Sequence, residues 1–105
     1  MTPVIILTTV GTGFDARPMA RVLVEQRLAA CVNIVPGLTS IYRWQGSVDE
    51  EGEQLLVIKT VDANVDALRE ALLAHHPYDV PEFVVLPIAS TSEAYGAWLL
   101  ESVSL

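Results

Sequence analysis

The chain has 105 residues, 51% of them hydrophobic, with a mean hydropathy of +0.42 and a formal net charge of −7 from 13 acids and 6 bases. That length makes one domain spanning 1–105. Its acidity repels phosphate backbones, which argues against a nucleic-acid partner, and no run approaches the roughly 18 apolar residues of a membrane span. The apolar surplus is more than a small monomer buries easily, so burial between copies of the chain is expected.

Val4 to Val10 predicts a first strand, apolar on both faces and closed by the turn Gly11-Thr12-Gly13. Asp15 is placed to cap the following helix, with Pro18 in its first turn. Ala20, Leu23, Val24 and Leu28 recur on one face of that helix. Cys31 to Val35 predicts a second strand, broken at Pro36-Gly37 and resumed from Ser40 to Trp44. Asp49-Glu50-Glu51-Gly52 reads as an acidic hairpin tip, and Gln54 to Val61 as the returning strand.

Asp62 or Asn64 caps a second helix, whose stripe is Val65, Leu68 and Leu72 and which Pro77 ends. Phe83 to Ile88 predicts a fourth strand. Pro87 has no N–H for a ladder, so that strand lies at an edge or breaks there. Ser90-Thr91-Ser92-Glu93 has the form of a capping box, opening a last helix in which Tyr95, Trp98 and Leu99 share a face.

The order β-α-β-β-α-β, then α, is the ferredoxin-like plan: an α+β sandwich with an antiparallel sheet and two helices on one face. A solvated second face would show alternating polarity, and these strands do not. Another copy of the chain is expected to cover it.

Several constellations invite chemistry. "GTGFDA" matches the dinucleotide pattern G-x-G-x-x-A, but the next strand enters a hairpin, so a tight turn is the better reading. The single cysteine, Cys31, cannot close an internal disulfide and reads as a small buried hydrophobe. This points to a reducing compartment, the cytoplasm, in line with a first segment that lacks the flanks of a secretory signal. Lys59 interrupts an apolar strand. It reaches the sheet rim, pairs with a carboxylate such as Glu82, or serves as a pocket cation for an anion. No nucleophile elbow or paired acids mark an enzyme.

"HHPYDVPE", residues 75 to 82, is the densest polar stretch. Its prolines make a rigid turn. Its imidazoles and carboxylates also suit copper, zinc or nickel. Adjacent helical residues point about 100° apart, so one histidine with Glu82 is an incomplete ligand set. From the residues alone, a turn, a polar pocket and a metal site all stay open.

Together with "RLAACVNIVPG" at 27–37, "SIYRWQG" at 40–46, "VIKT" at 57–60, "VVLPI" at 84–88 and "YGAWL" at 95–99, that stretch makes the chain resemble the divalent-cation tolerance (CutA) family over nearly its whole length. The resemblance implies a homotrimer in which neighbouring edge strands pair, and a shape related to PII-type signalling proteins with a pocket between subunits. It implies a link to tolerance of copper and other divalent metals. A eukaryotic relative is linked to acetylcholinesterase anchoring. The copper ligands proposed for the family are a first-strand cysteine, a histidine and a glutamate. The latter two correspond to His75 and Glu82, while Thr8 stands at the cysteine position. The family's pocket would draw on Trp44, Lys59, His76, Tyr78 and Glu82. The expectation is a non-enzymatic trimer of metal tolerance that binds copper or another divalent cation weakly and uses no organic cofactor. The alternative is a PII-like signalling or adaptor trimer that takes an anionic metabolite or a protein partner.

Overall fold

Alternate residues of the first strand decide the layering. The structure is a computed structural model describing residues 1–104. In it β1, Pro3–Gly11, buries Val4, Ile6, Thr8 and Val10 and leaves Ile5, Leu7 and Thr9 half-buried. Strand β3, Ser47–Val61, follows the same parity: Leu56, Ile58 and Thr60 are buried, whereas Leu55, Val57 and Lys59 are half-buried. With β2 (Cys31–Trp44) and β4 (Val84–Pro87) they form an antiparallel sheet in the order β2-β3-β1-β4. This is the expected ferredoxin-like plan.

Helices α1 (Arg17–Glu25) and α2 (Val65–His75) lie on the face of the buried parity. Ile6, Val10, Leu56 and Ile58 of the sheet pack there with Met19, Leu23, Leu68 and Leu72. Each large apolar side chain taken out of water contributes about 1.5–3 kcal/mol before conformational entropy is counted. The third helix, α3 (Glu93–Ser102), packs on the opposite face at one end, where Leu99 meets Ala30, Val61 and Val103. The rest of that face, with Ile5, Leu7, Leu55 and Val57, has no helix of the described residues over it.

The acidic stretch is not the hairpin tip. Trp44 pairs with Ser47, so the turn is Gln45-Gly46, both at positive φ (49° and 83°), as a two-residue hairpin turn requires. Asp49 to Gly52 lie within β3, opposite Tyr42 to Thr39. Pro36-Gly37 does not end β2. It makes a bulge between Val35 and Leu38, with Gly37 at φ 79°, and pairing resumes beyond it. The hairpin runs on past Glu53, the last partner of β1, and the chain measures 44 × 25 × 23 Å.

The caps also shift. Asp15 precedes the N-cap residue Ala16, and its carboxylate accepts the Arg17 N–H at 3.1 Å and the Arg17 guanidinium at 2.9 and 3.0 Å. Met19 joins the stripe of α1, Val24 faces solvent, and Leu28 lies beyond the helix end. Asp62 accepts the N–H groups of Thr2 and Ala63, and Asn64 donates to the Arg27 carbonyl. Ser92 caps α3 by accepting the Tyr95 N–H at 3.2 Å, two residues after the start of the apparent capping box. Strand β4 is an edge strand and is shorter than expected. Among the described residues no helix is long and apolar enough to cross a membrane.

Candidate functional site

Helix α2 ends at His75, and His76 turns the chain extended. Pro77 cannot continue a helix and presses the residue before it towards extended backbone. Strand β4 pairs only with Val4 to Leu7, which leaves the edge of β1 free at Thr8 and Thr9. His76 occupies that edge. Its Nε2 donates to the Thr9 carbonyl at 3.0 Å and lies 3.3 Å from Thr8 Oγ1, while its Nδ1 accepts the Tyr78 N–H at 3.1 Å. A ring that donates at one nitrogen and accepts at the other is neutral. Burial also holds its pKa below the ordinary histidine value, against the opposing pull of the Thr9 carbonyl and Glu53.

From His76 the chain wraps around the sheet edge to the face opposite α1 and α2. The Tyr78 ring lies 5.0 Å from that of His76, and its hydroxyl donates to Glu53 Oε2 at 2.6 Å. The bond is short, as hydrogen bonds to carboxylates are. Glu53 is only 6% exposed, so this contact is its main compensation for leaving water. Burial pushes the Tyr78 phenol far above its ordinary pKa, and the Glu53 bond adds to the shift.

Tyr78 thereby pins the 77–82 loop over a cavity of about 680 Å³ between the loop and the projecting hairpin. Five carboxylates line it: Asp49, Glu51 and Glu53 from β3, and Asp79 and Glu82 from the loop. Tyr42, Trp44 and Tyr78 supply aromatic walls, and no Lys, Arg or His among the described residues lines it. The Tyr42 phenol is pushed up, first by burial and then by the facing Glu51, Asp49 and Glu53, so the cavity carries a negative potential.

Of the residues singled out from sequence, Trp44, Tyr78 and Glu82 come together in the cavity wall. His76 stands behind it, spent on the β1 edge. His75 is exposed at the end of α2 and does not line the cavity. Lys59 lies on the same sheet face but further along. Its Nζ donates to Asn33 Oδ1 at 2.8 Å and sits 5.8 Å from the centre of the Tyr95 ring. Cys31, half-buried, contacts the same Asn33 oxygen at 3.8 Å. Thr8 is fully buried, and the histidine it meets is His76, not His75. Among the described residues no three His, Cys, Asp or Glu side chains converge closely enough to hold one metal ion.

Sequence reasoning missed Tyr42, Asp49, Glu51 and Glu53. The signal was present as period-two spacing: Asp49, Glu51 and Glu53 alternate along one strand face, as Tyr42 and Trp44 do on the partner strand. Asp49-Glu50-Glu51-Gly52 has the composition of a turn, which hides the alternation.

The fold has close counterparts. A family model described as CutA1 divalent ion tolerance protein matches residues 4–102. The divalent-cation tolerance protein CutA of Thermus thermophilus is 55% identical over 98 residues, covering 93% of this chain and 95% of the relative. The chloroplastic protein CutA of Arabidopsis thaliana is 42% identical over 99 residues, covering 94% of this chain. The chain spans 54% of that plant relative's length. The solved structure of the Thermus thermophilus divalent cation tolerance protein superposes with a TM-score of 0.91 at 53% identity, covering 97% of this chain and 99% of the other.

Proposed function

The chain belongs to the CutA1 divalent ion tolerance family, and from that premise we propose that it serves divalent-cation tolerance by binding such ions directly and weakly beside the acidic cavity. The observation that carries this reading is the charge of the cavity: five carboxylates and no basic side chain among its described lining residues. Such a concavity raises the local concentration of cations.

Glu82 in the wall and His75 at the helix end are the proposed ligands, for copper or another divalent cation. Two protein ligands leave the remaining positions to water, which makes the ion exchangeable. Thr8 offers no thiolate, which favours divalent ions over copper(I). The chain acts without catalysis and without an organic cofactor, as a cytoplasmic homotrimer that uses no nucleic acid or membrane. The half-open apolar face and the exposed edge side chains Val84 and Leu86 support self-association. The single unpaired cysteine supports a reducing compartment.

Calorimetric titration with copper(II) and zinc(II) tests the reading. Saturable binding near one ion per chain, lost in both His75→Ala and Glu82→Ala, is the expected result. Absence of binding, or binding untouched by both substitutions, would make the tolerance link indirect.

A further inference from the structure

Two residues at the end of α1 sit against local preference. The helix stops at Glu25, and the Arg27 and Leu28 N–H groups turn back to the Val24 and Leu23 carbonyls, each at 3.0 Å. Arg27 thereby takes φ 59°, a left-handed position that glycine usually fills at such a closure. Glu25 stands in the last turn of the same helix, which holds no basic residue, although the carbonyl end of a helix favours cations. Departures of this kind concentrate where a protein places functional side chains.

Both side chains line one hollow of about 310 Å³ between the end of α1 and α3. Its floor includes the buried Ala29 and Ala30, whose side chains are too small to fill it. Val24 and Trp98, 40% and 44% exposed, are its apolar walls, and Tyr95 braces the Trp98 ring at 5.4 Å between ring centres. The Arg27 guanidinium donates to the Ser102 carbonyl at 3.2 Å through one nitrogen, which leaves other N–H groups for an incoming acceptor. Neither Arg27 nor Glu25 forms an ion pair among the described residues. The hollow shares no lining residue with the acidic cavity, and none of Ile5, Leu7, Leu55 and Val57 lines it. Its volume is at the small end of ligand pockets, which suits a molecule of amino-acid size. Opposite charges beside an apolar wall complement a zwitterion with an apolar body.

We propose that this hollow binds a free apolar α-amino acid, with its carboxylate on the Arg27 guanidinium, its ammonium at Glu25 and its side chain against Trp98 and Val24. A guanidinium meets a carboxylate as a fork, and an indole face takes an aromatic or aliphatic side chain. The site uses neither His75 nor Glu82, so it stands apart from the metal reading.

L-Phenylalanine is the probe, titrated calorimetrically into the intact chain. Saturable binding near one per chain is expected, weakened at least about tenfold in Arg27→Gly and in Glu25→Gln, as the loss of one charged hydrogen bond predicts. Phenethylamine lacks the carboxylate and N-acetyl-L-phenylalanine lacks the ammonium, and each is expected to bind at least about tenfold more weakly than the probe. Arg27→Gly keeps the left-handed closure of α1, and Glu25→Gln changes an exposed side chain without changing its shape, so melting curves are expected to show both variants folded. Arg21→Gln, one turn earlier on α1 and outside the hollow, is expected to bind as the parent does, and so is His75→Ala. No saturable binding, truncated probes that bind as tightly as phenylalanine, or equal weakening in Arg21→Gln would overturn the proposal.

Discussion

The two faces of one sheet have different fates. On the face of Ile6, Leu56 and Ile58, α1 and α2 close the core, and each of these side chains is fully buried. On the face of Ile5, Leu7, Leu55 and Val57, α3 covers one end, a cavity opens at the other, and the apolar middle stays half-exposed. Both faces carry similar residues, so composition does not distinguish them. What differs is the supply of covering elements. The described helices suffice for one face, and the middle of the second is left without one.

Substitution on the closed face has the largest expected effect. Leu68→Ala removes a fully buried side chain from between α2 and the sheet, and is expected to cost about 2–5 kcal/mol in chemical denaturation. A cost below about 1 kcal/mol would mean that this face is not the primary core. Next comes the stitch between the faces. Tyr78→Phe strips the nearly buried Glu53 of its one hydrogen bond, with an expected loss of about 1–3 kcal/mol. The same variant should loosen the 77–82 loop, readable as faster amide exchange at Asp79 and Val80.

The anchor of that loop at the sheet edge should respond to pH. Folding lowers the His76 pKa, so between that lowered value and the ordinary 6.5 the unfolded chain binds more protons than the folded one. The His76 contribution is complete above pH 6.5 and is lost as pH falls through the window below it. Urea midpoints between pH 7 and about 5 should show the decline in the parent and a flatter profile in His76→Gln. The smallest effect concerns the hairpin tip. Gly46→Ala forces a side chain into φ 83° and is expected to cost about 1–2 kcal/mol of local hairpin stability. Little of it should reach the global midpoint, because the tip extends beyond β1.

Much of this contrast was legible in the sequence. The apolar runs of β1 and β3, which lack the alternation of a half-solvated strand, announced two apolar faces, and Pro87 announced the edge strand. The hairpin tip is not legible locally: Asp-Glu-Glu-Gly has the composition of a turn, while the actual turn, Gln45-Gly46, is marked by one glycine and a residue type rarely found at positive φ. The second reason is geometric. Tyr78 meets Glu53 across 25 positions of sequence, and His76 meets Thr9 across 67, so neither contact has a local pattern. The resemblance supplied Trp44, Tyr78 and Glu82. The acidic ladder facing them became visible only once the register was known.

In the proposed homotrimer the half-open face is buried by copies of the chain. Sedimentation velocity tests it most directly, on the parent and on Leu7→Asp, which places a charge in the middle of that face. The parent is expected to run as one species at three times the 11.4 kDa chain mass, and the variant as a folded single chain. A parent that sediments at 11.4 kDa across the accessible concentration range would contradict it.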